Sequence, residues 1–184
     1  MAYDLMNRRD NVTKHHTGIQ LSLRSVEAYS ERGLEPGKMN LGFAFYVKWF
    51  KTTACSENAV GCRTVLMEDP ETGADLGQAG AFSWDDDVPV DLKESFEKAL
   101  EGGKYDEVGG GWYFWDEGER IWWSWDTREV IAKKFPEIAE EKGLGGVFAW
   151  GLGEDGPTWN RFEALTKGYK SWKDRAGGRI KDEL

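Results

Sequence analysis

Residues 144–150 read L-G-G-V-F-A-W, and the fold turns on how that stretch is taken. Two glycines lead into Val147, Phe148, Ala149 and Trp150, a run too short for a helix and bounded by turn residues. Such a run predicts a strand covered on both faces. Helical patterns lie on either side of it, so the strand belongs to a βα series. Its last residue, Trp150, falls at the carboxyl end, where parallel α/β architectures bind their ligands.

Working outward, the spacing of Ile131, Phe135 and Ile138 predicts a helix over residues 127–142, which Pro136 should kink or split. Beyond the strand, Pro157 suits a helix's first turn. Trp159, Phe162, Leu165, Tyr169 and Trp172 then form one stripe of a final helix, followed by a loose tail over residues 177–184. Toward the amino terminus, residues 39–48 (M-N-L-G-F-A-F-Y-V-K) predict a second buried strand. A helix over 22–32 precedes it, closed by Gly33 and Pro36. Residues 1–6 alternate loosely and predict a further strand. Between the second and third strands the rhythm breaks: a helix near 91–100 is followed by G-W-Y-F-W-D-E-G-E-R-I-W-W-S-W at 111–125, with two aromatic runs around a turn, the pattern of a hairpin. Alternation sends about half of its aromatics to each side, one half to a core and the other to a wall on which sugars could stack. The expected organisation is therefore α/β, with strand–helix–strand over 1–48, an α+β insertion over 49–125, helix–strand–helix over 126–175 and a tail over 176–184. Three βα units are too few to close a barrel, which needs eight.

Composition narrows the function. The 184 residues carry a net charge of −9 with the acidic groups spread out, so no basic stripe is available for phosphates and nucleic acid is not an expected partner. No apolar run approaches membrane-spanning length. Ten tryptophans exceed what a core of this size needs, and flat aromatic faces pack well on pyranose C–H faces. His15 and His16 lack further ligands at metal spacing, so no metal is expected, and no cofactor motif is present: residues 109–111 are glycines but no Lys-Ser/Thr follows them. Asp85, Asp86 and Asp87 suggest a solvated loop. Cys55 and Cys62, a short loop apart, suggest a local disulfide and an oxidising compartment. Asn11-Val12-Thr13 is a glycosylation sequon, and Lys181-Asp182-Glu183-Leu184 reads as an endoplasmic-reticulum retention signal. These agree on the secretory pathway, yet the sequence opens M-A-Y-D-L-M-N-R-R-D without an export segment. The expectation is that an upstream part is missing.

Several of these stretches together resemble the chitinases of glycoside hydrolase family 18. M-A-Y-D at residues 1–4 resembles the family's sixth-strand Met-x-Tyr-Asp motif, L-G-F-A-F-Y at 41–46 its seventh strand, and L-G-G-V-F-A-W its eighth. The insertion falls in the gap where many members carry an α+β insertion. The resemblance runs from Met1 to about Trp172, is nearest the fungal members, and implies the carboxyl-terminal portion, strands six to eight, of a (β/α)₈ barrel. It implies cleavage of β-1,4-linked N-acetylglucosamine polymers with retention, the sugar's own acetamido oxygen attacking in place of a protein nucleophile. Tyr3 and Asp4 would position and polarise that acetamido group. Met1 would pack beneath the sugar, Trp150 would form the floor of the subsite holding the distorted ring, and Tyr46 would line the cleft. Where many members place an arginine, this chain has Lys48 and Trp49. The family's general acid, the glutamate closing Asp-x-x-Asp-x-Asp-x-Glu, has no counterpart in the sequence. Its loss costs roughly 10²–10⁴-fold in rate. The expected protein is therefore part of a chitinase, inactive alone, completed by the missing barrel half; the alternative is a non-catalytic chitinase-like carbohydrate-binding protein.

Overall fold

The computed structural model describes residues 1–55, 59–84 and 86–182, with side chains through residue 176. Asp85 and the Glu183-Leu184 end of the retention tetrapeptide lie outside the described residues.

Two sheets share the molecule. Strands β1 (Asn40–Ala44) and β7 (Gly146–Trp150) pair in parallel, with Ala44 opposite Trp150. A five-stranded antiparallel sheet has the order β3-β2-β6-β5-β4, formed by β2 (Tyr46–Lys51), β3 (Ala79–Ser83), β4 (Lys104–Asp106), β5 (Gly111–Asp116) and β6 (Ile121–Trp125). The strand expected over residues 39–48 is thus two strands. At Phe45 the chain leaves the parallel pair, its amide still donating to the Trp150 carbonyl at 2.8 Å, and enters the antiparallel sheet. Residues 1–6, expected as a third parallel strand, form none. Their alternation is local, whereas a strand requires a ladder; here Leu5 makes a single backbone bond, donating to the His16 carbonyl at 3.0 Å.

Helices α1 (Ile19–Ser30), α3 (Arg128–Lys134) and α4 (Asn160–Asp182) cover one side of the parallel pair. Leu41 and Phe43 of β1, with Val147 and Ala149 of β7, meet Val26, Ile131, Phe135, Ile138, Leu165 and Trp172 there. The opposite side is covered only in part: Tyr3 packs on Phe148 and Ala44 is buried, yet Phe148 is 38% and Trp150 57% exposed, so β7, expected to be buried on both faces, is open on one. Thr127 caps α3 by accepting from the Val130 amide. Pro136, unable to donate, splits the predicted helix as expected, and residues Phe135–Glu140 continue as a π-helical segment. The last helix begins later than Pro157 suggested. Asp155, buried, accepts from the amides of Arg161 (3.0 Å) and Phe162 (2.9 Å) and so tethers the first turn of α4. The expected aromatic stripe is only half buried, because Leu165 and Trp172 face the core while Trp159, Phe162 and Tyr169 remain exposed. Gly168 has no side chain where Phe135 comes close, which lets α4 approach the π-helical segment. The loose tail expected from residue 177 is helical backbone as far as Asp182.

In the antiparallel sheet the predicted hairpin forms, pairing Trp112 with Trp125 and Trp115 with Trp122. Its aromatics fill both faces. Trp123 and Trp125 pack with Phe82, Leu92, Phe96 and Ala99 against α2 (Lys93–Gly102), and the Trp123 indole donates to Ser95 Oγ at 3.0 Å. Trp122 and Tyr113 stack at 4.6 Å between centroids on the other face, with Met6, Phe50 and Met67. A sugar-stacking wall was expected from half of these rings, yet Trp122, Trp123 and Trp125 are all core.

The triple glycine joins the two parts. The carbonyls of Gly110 and Gly109 accept from the Ile19 and Gln20 amides at the start of α1. A Cβ on Gly109 or Gly111 would strike the His15 ring, and Gly110 has φ +68°, so three residues without side chains are needed where this loop crosses His15. His15 in turn meets Asp106 Oδ2 at 2.9 Å.

Candidate active site at the carboxyl ends of the parallel strands

Asp4, Tyr46, Lys48 and Trp150 come together around one open hollow of about 560 Å³, whose lining is completed by Ala81, Phe82, Ser83, Asp86, Gly153 and Glu154. The fold brings them there by three routes. Trp150 ends β7 and its peptide to Gly151 is cis. Tyr46 and Lys48 lie two apart on β2 and so share a face. Asp4 has a left-handed backbone, φ 56°, a conformation that aspartate tolerates better than most residues.

A single acceptor ties these walls together. Asp4 Oδ1 accepts from the Tyr46 hydroxyl at 2.9 Å and from Lys48 Nζ at 2.9 Å, while Lys48 also reaches the Met6 carbonyl at 3.3 Å. Burial, then the Asp4 charge, push the Tyr46 phenol far above its usual pKa, so it stays a donor. His16, fully buried, lies against Tyr46 with ring centroids 5.3 Å apart. Burial first, then Lys48, Lys134 and His15, lower its pKa well below the usual value, which keeps the ring neutral.

Tyr3 sits behind this rim, edge-on to both Tyr46 (6.1 Å) and Phe148 (6.4 Å). Its hydroxyl is buried and has no hydrogen-bond partner among the described residues. Burial, with smaller contributions from Asp4 and Glu154, raises its pKa. An anchored ring with an unused donor is suited to hold a ligand oxygen in one fixed orientation.

Met1 is 83% exposed and lines a separate hollow with Ala2, Val26, Tyr29 and Leu41, away from the Trp150 rim. Cys55 and Cys62 form the expected disulfide, with Cα atoms 5.7 Å apart. Asn11 is exposed, but Thr13 of its sequon is buried, its hydroxyl donating to the Ala59 carbonyl and accepting from the Cys62 amide. Sequence reasoning passed over Lys48 except as a departure from an arginine, and missed Glu154. The signal for Lys48 was its spacing of two from Tyr46; Glu154 gave none beyond proximity to Trp150.

The model of glycosyl hydrolases family 18 matches residues 1–155. The chain belongs to that family. Endochitinase 1 of Metarhizium robertsii is 26% identical over 84% of this chain and 35% of its own length. A family GH18 chitinase from Cycas revoluta, solved in complex with (GlcNAc)4, superposes with a TM-score of 0.65 at 21% identity, covering 92% of this chain and 46% of its own. A chitinase from Rhizomucor miehei gives 0.68 at 18% identity, covering 91% and 52%. A chitinase-like agglutinin from Robinia pseudoacacia gives 0.62 at 18%, covering 92% and 46%. The chain thus spans about half the length of these solved relatives and about a third of the curated one. At these identities the solved structures establish a shared mixed α/β fold.

Proposed function

We propose that this family 18 chain is the part of a chitinase that holds N-acetylglucosamine oligosaccharides, and that it corresponds to strands six to eight of a (β/α)₈ barrel with the antiparallel sheet as its insertion. The observation that carries the reading is the convergence of Asp4, Tyr46 and Trp150 on one hollow at the carboxyl ends of β1 and β7. The exposed indole of Trp150 offers a flat apolar face to a pyranose ring. The free Tyr3 hydroxyl donates to the acetamido oxygen as that oxygen attacks the anomeric carbon. Asp4, held by Tyr46 and Lys48, faces the positive charge that builds up on the acetamido group. Met1 has no place in this arrangement.

The reaction also needs a proton for the leaving oxygen. The sequence contains no Asp-x-x-Asp-x-Asp-x-Glu motif, so the chain is proposed to bind chitin oligosaccharides and not to cleave them unaided. The open face bearing Phe148 and Trp150 would receive the amino-terminal barrel half. Binding without cleavage is also what a chitinase-like carbohydrate-binding protein would do. The two readings part when the barrel half is supplied in trans, which restores turnover only for the chitinase. The disulfide favours the secretory pathway, either the endoplasmic-reticulum lumen or, for the full-length protein, the extracellular space. The test is hydrolysis of a fluorogenic chitobioside beside retention on chitin beads. The purified chain is expected to be retained and to release no fluorophore; steady turnover would refute the missing-acid argument.

A further inference from the structure

Glu154 stands four residues beyond Trp150, at the end of the short 3₁₀ turn Leu152–Glu154. Its backbone is fastened at both groups: the amide donates to Gly151 O at 3.0 Å, and the carbonyl accepts from the Trp84 amide at 2.9 Å. Its side chain lines the same hollow as Trp150, Asp4, Tyr46 and Lys48. Yet its Oε2 is buried and has no hydrogen-bond partner among the described residues. A carboxyl oxygen withdrawn from water without a donor is unfavourable, and here a fixed turn holds it on the wall of a cleft. A sugar seated with its C–H face on an indole presents hydroxyl donors around the ring edge, which supplies what this oxygen lacks.

We infer that Glu154 is a further ligand-contacting residue, its unpartnered oxygen accepting a hydroxyl hydrogen from the sugar that stacks on Trp150. This rests on the oligosaccharide reading of the hollow and adds a polar contact to it. The groups around Glu154 are the carboxylates of Asp4 and Asp86 and the hydroxyls of Tyr3 and Tyr46; the Lys48 ammonium lines the same hollow, already engaged by Asp4. Burial raises the Glu154 pKa above its ordinary value; the Gly151 backbone opposes the rise, and Asp86 and Asp4 add to it. A carboxylate is the better acceptor, so affinity should fall as pH drops through that raised pKa. Replacement by glutamine should remove this dependence.

The test is calorimetric titration of (GlcNAc)4 into the whole chain and into Trp150→Ala, Glu154→Ala and Glu154→Gln, across a pH series, with thermal melts to confirm folding. Trp150→Ala should abolish measurable binding. Glu154→Ala should raise Kd about tenfold at neutral pH, and Glu154→Gln should leave a weaker, pH-independent Kd. If Trp150→Ala removes binding while both Glu154 variants follow the wild-type curve, the Glu154 contact is wrong and the hollow is still the site. If the wild type fails to bind, or Trp150→Ala binds as well as it does, the reading of the hollow falls and this inference with it.

Discussion

The tryptophans of the antiparallel sheet and the one that ends the parallel pair are the same residue type put to opposite uses. Trp122 and Trp123 are fully buried, one on each face of β6, because α2 covers one side and the packing around the disulfide segment the other. Trp150 ends a strand whose helix-facing neighbours, Val147 and Ala149, are packed, while its own side is open and it is more than half exposed. An aromatic excess therefore says little by itself; what decides its role is whether a second layer covers the face it occupies. In this chain the sheet richer in tryptophan is a core, and Trp150, on the open side, is the indole proposed as the ligand platform.

Substitution at the two kinds of site should separate them. Trp123→Ala removes a fully buried ring and strands Ser95, and should destabilise by ~3–5 kcal/mol in urea unfolding. Between the two parts, Lys134 and Asp126 form a buried ion pair, with Thr17 also donating to Asp126 at 2.8 Å. Asp126→Ala leaves the ammonium unpaired and should cost roughly 3 kcal/mol or more, a loss that adding Lys134→Met should largely recover. On the Trp122 face of the antiparallel sheet, Cys55→Ser with Cys62→Ser opens a short covalent loop and should cost about 2–3 kcal/mol.

Acid should weaken the junction through His16. Its folded pKa is depressed, so below about 6.5 the unfolded chain takes up a proton that the folded chain refuses. Stability should then fall by up to about 1.4 kcal/mol for each pH unit below that value, until the folded pKa is reached. His16→Gln should flatten the dependence in denaturant midpoints measured between pH 7.5 and 5. The smallest effect belongs to Trp150→Ala, which should change stability by no more than ~0.5 kcal/mol. A large loss there would mean that the indole is structural after all.

What could be read from the sequence follows the range of the signal. The hairpin over residues 111–125, the break at Pro136 and the strand ending in Trp150 each rest on patterns within a few residues, and each forms. The strand expected over residues 1–6 failed because alternation cannot supply a ladder. The stretch 39–48 looked continuous because nothing in its hydrophobicity marks Phe45 as the point where one sheet hands over to the other. The motifs singled out Asp4, Tyr46 and Trp150, which the structure brings around one hollow, and Tyr3, which sits behind its rim. Lys48 on Asp4, the neutral His16 beneath Tyr46 and the unpartnered oxygen of Glu154 were not legible, since each depends on how the antiparallel sheet sits against the parallel pair.

The central contrast can be watched directly in the indole N–H resonances of the protein's ten tryptophans, assigned by substitution, during titration with (GlcNAc)4. The account predicts that the Trp150 signal moves with saturating ligand while those of Trp122 and Trp123 stay in place. A static Trp150 resonance, or ligand-induced movement centred on Trp122 and Trp123, would contradict it.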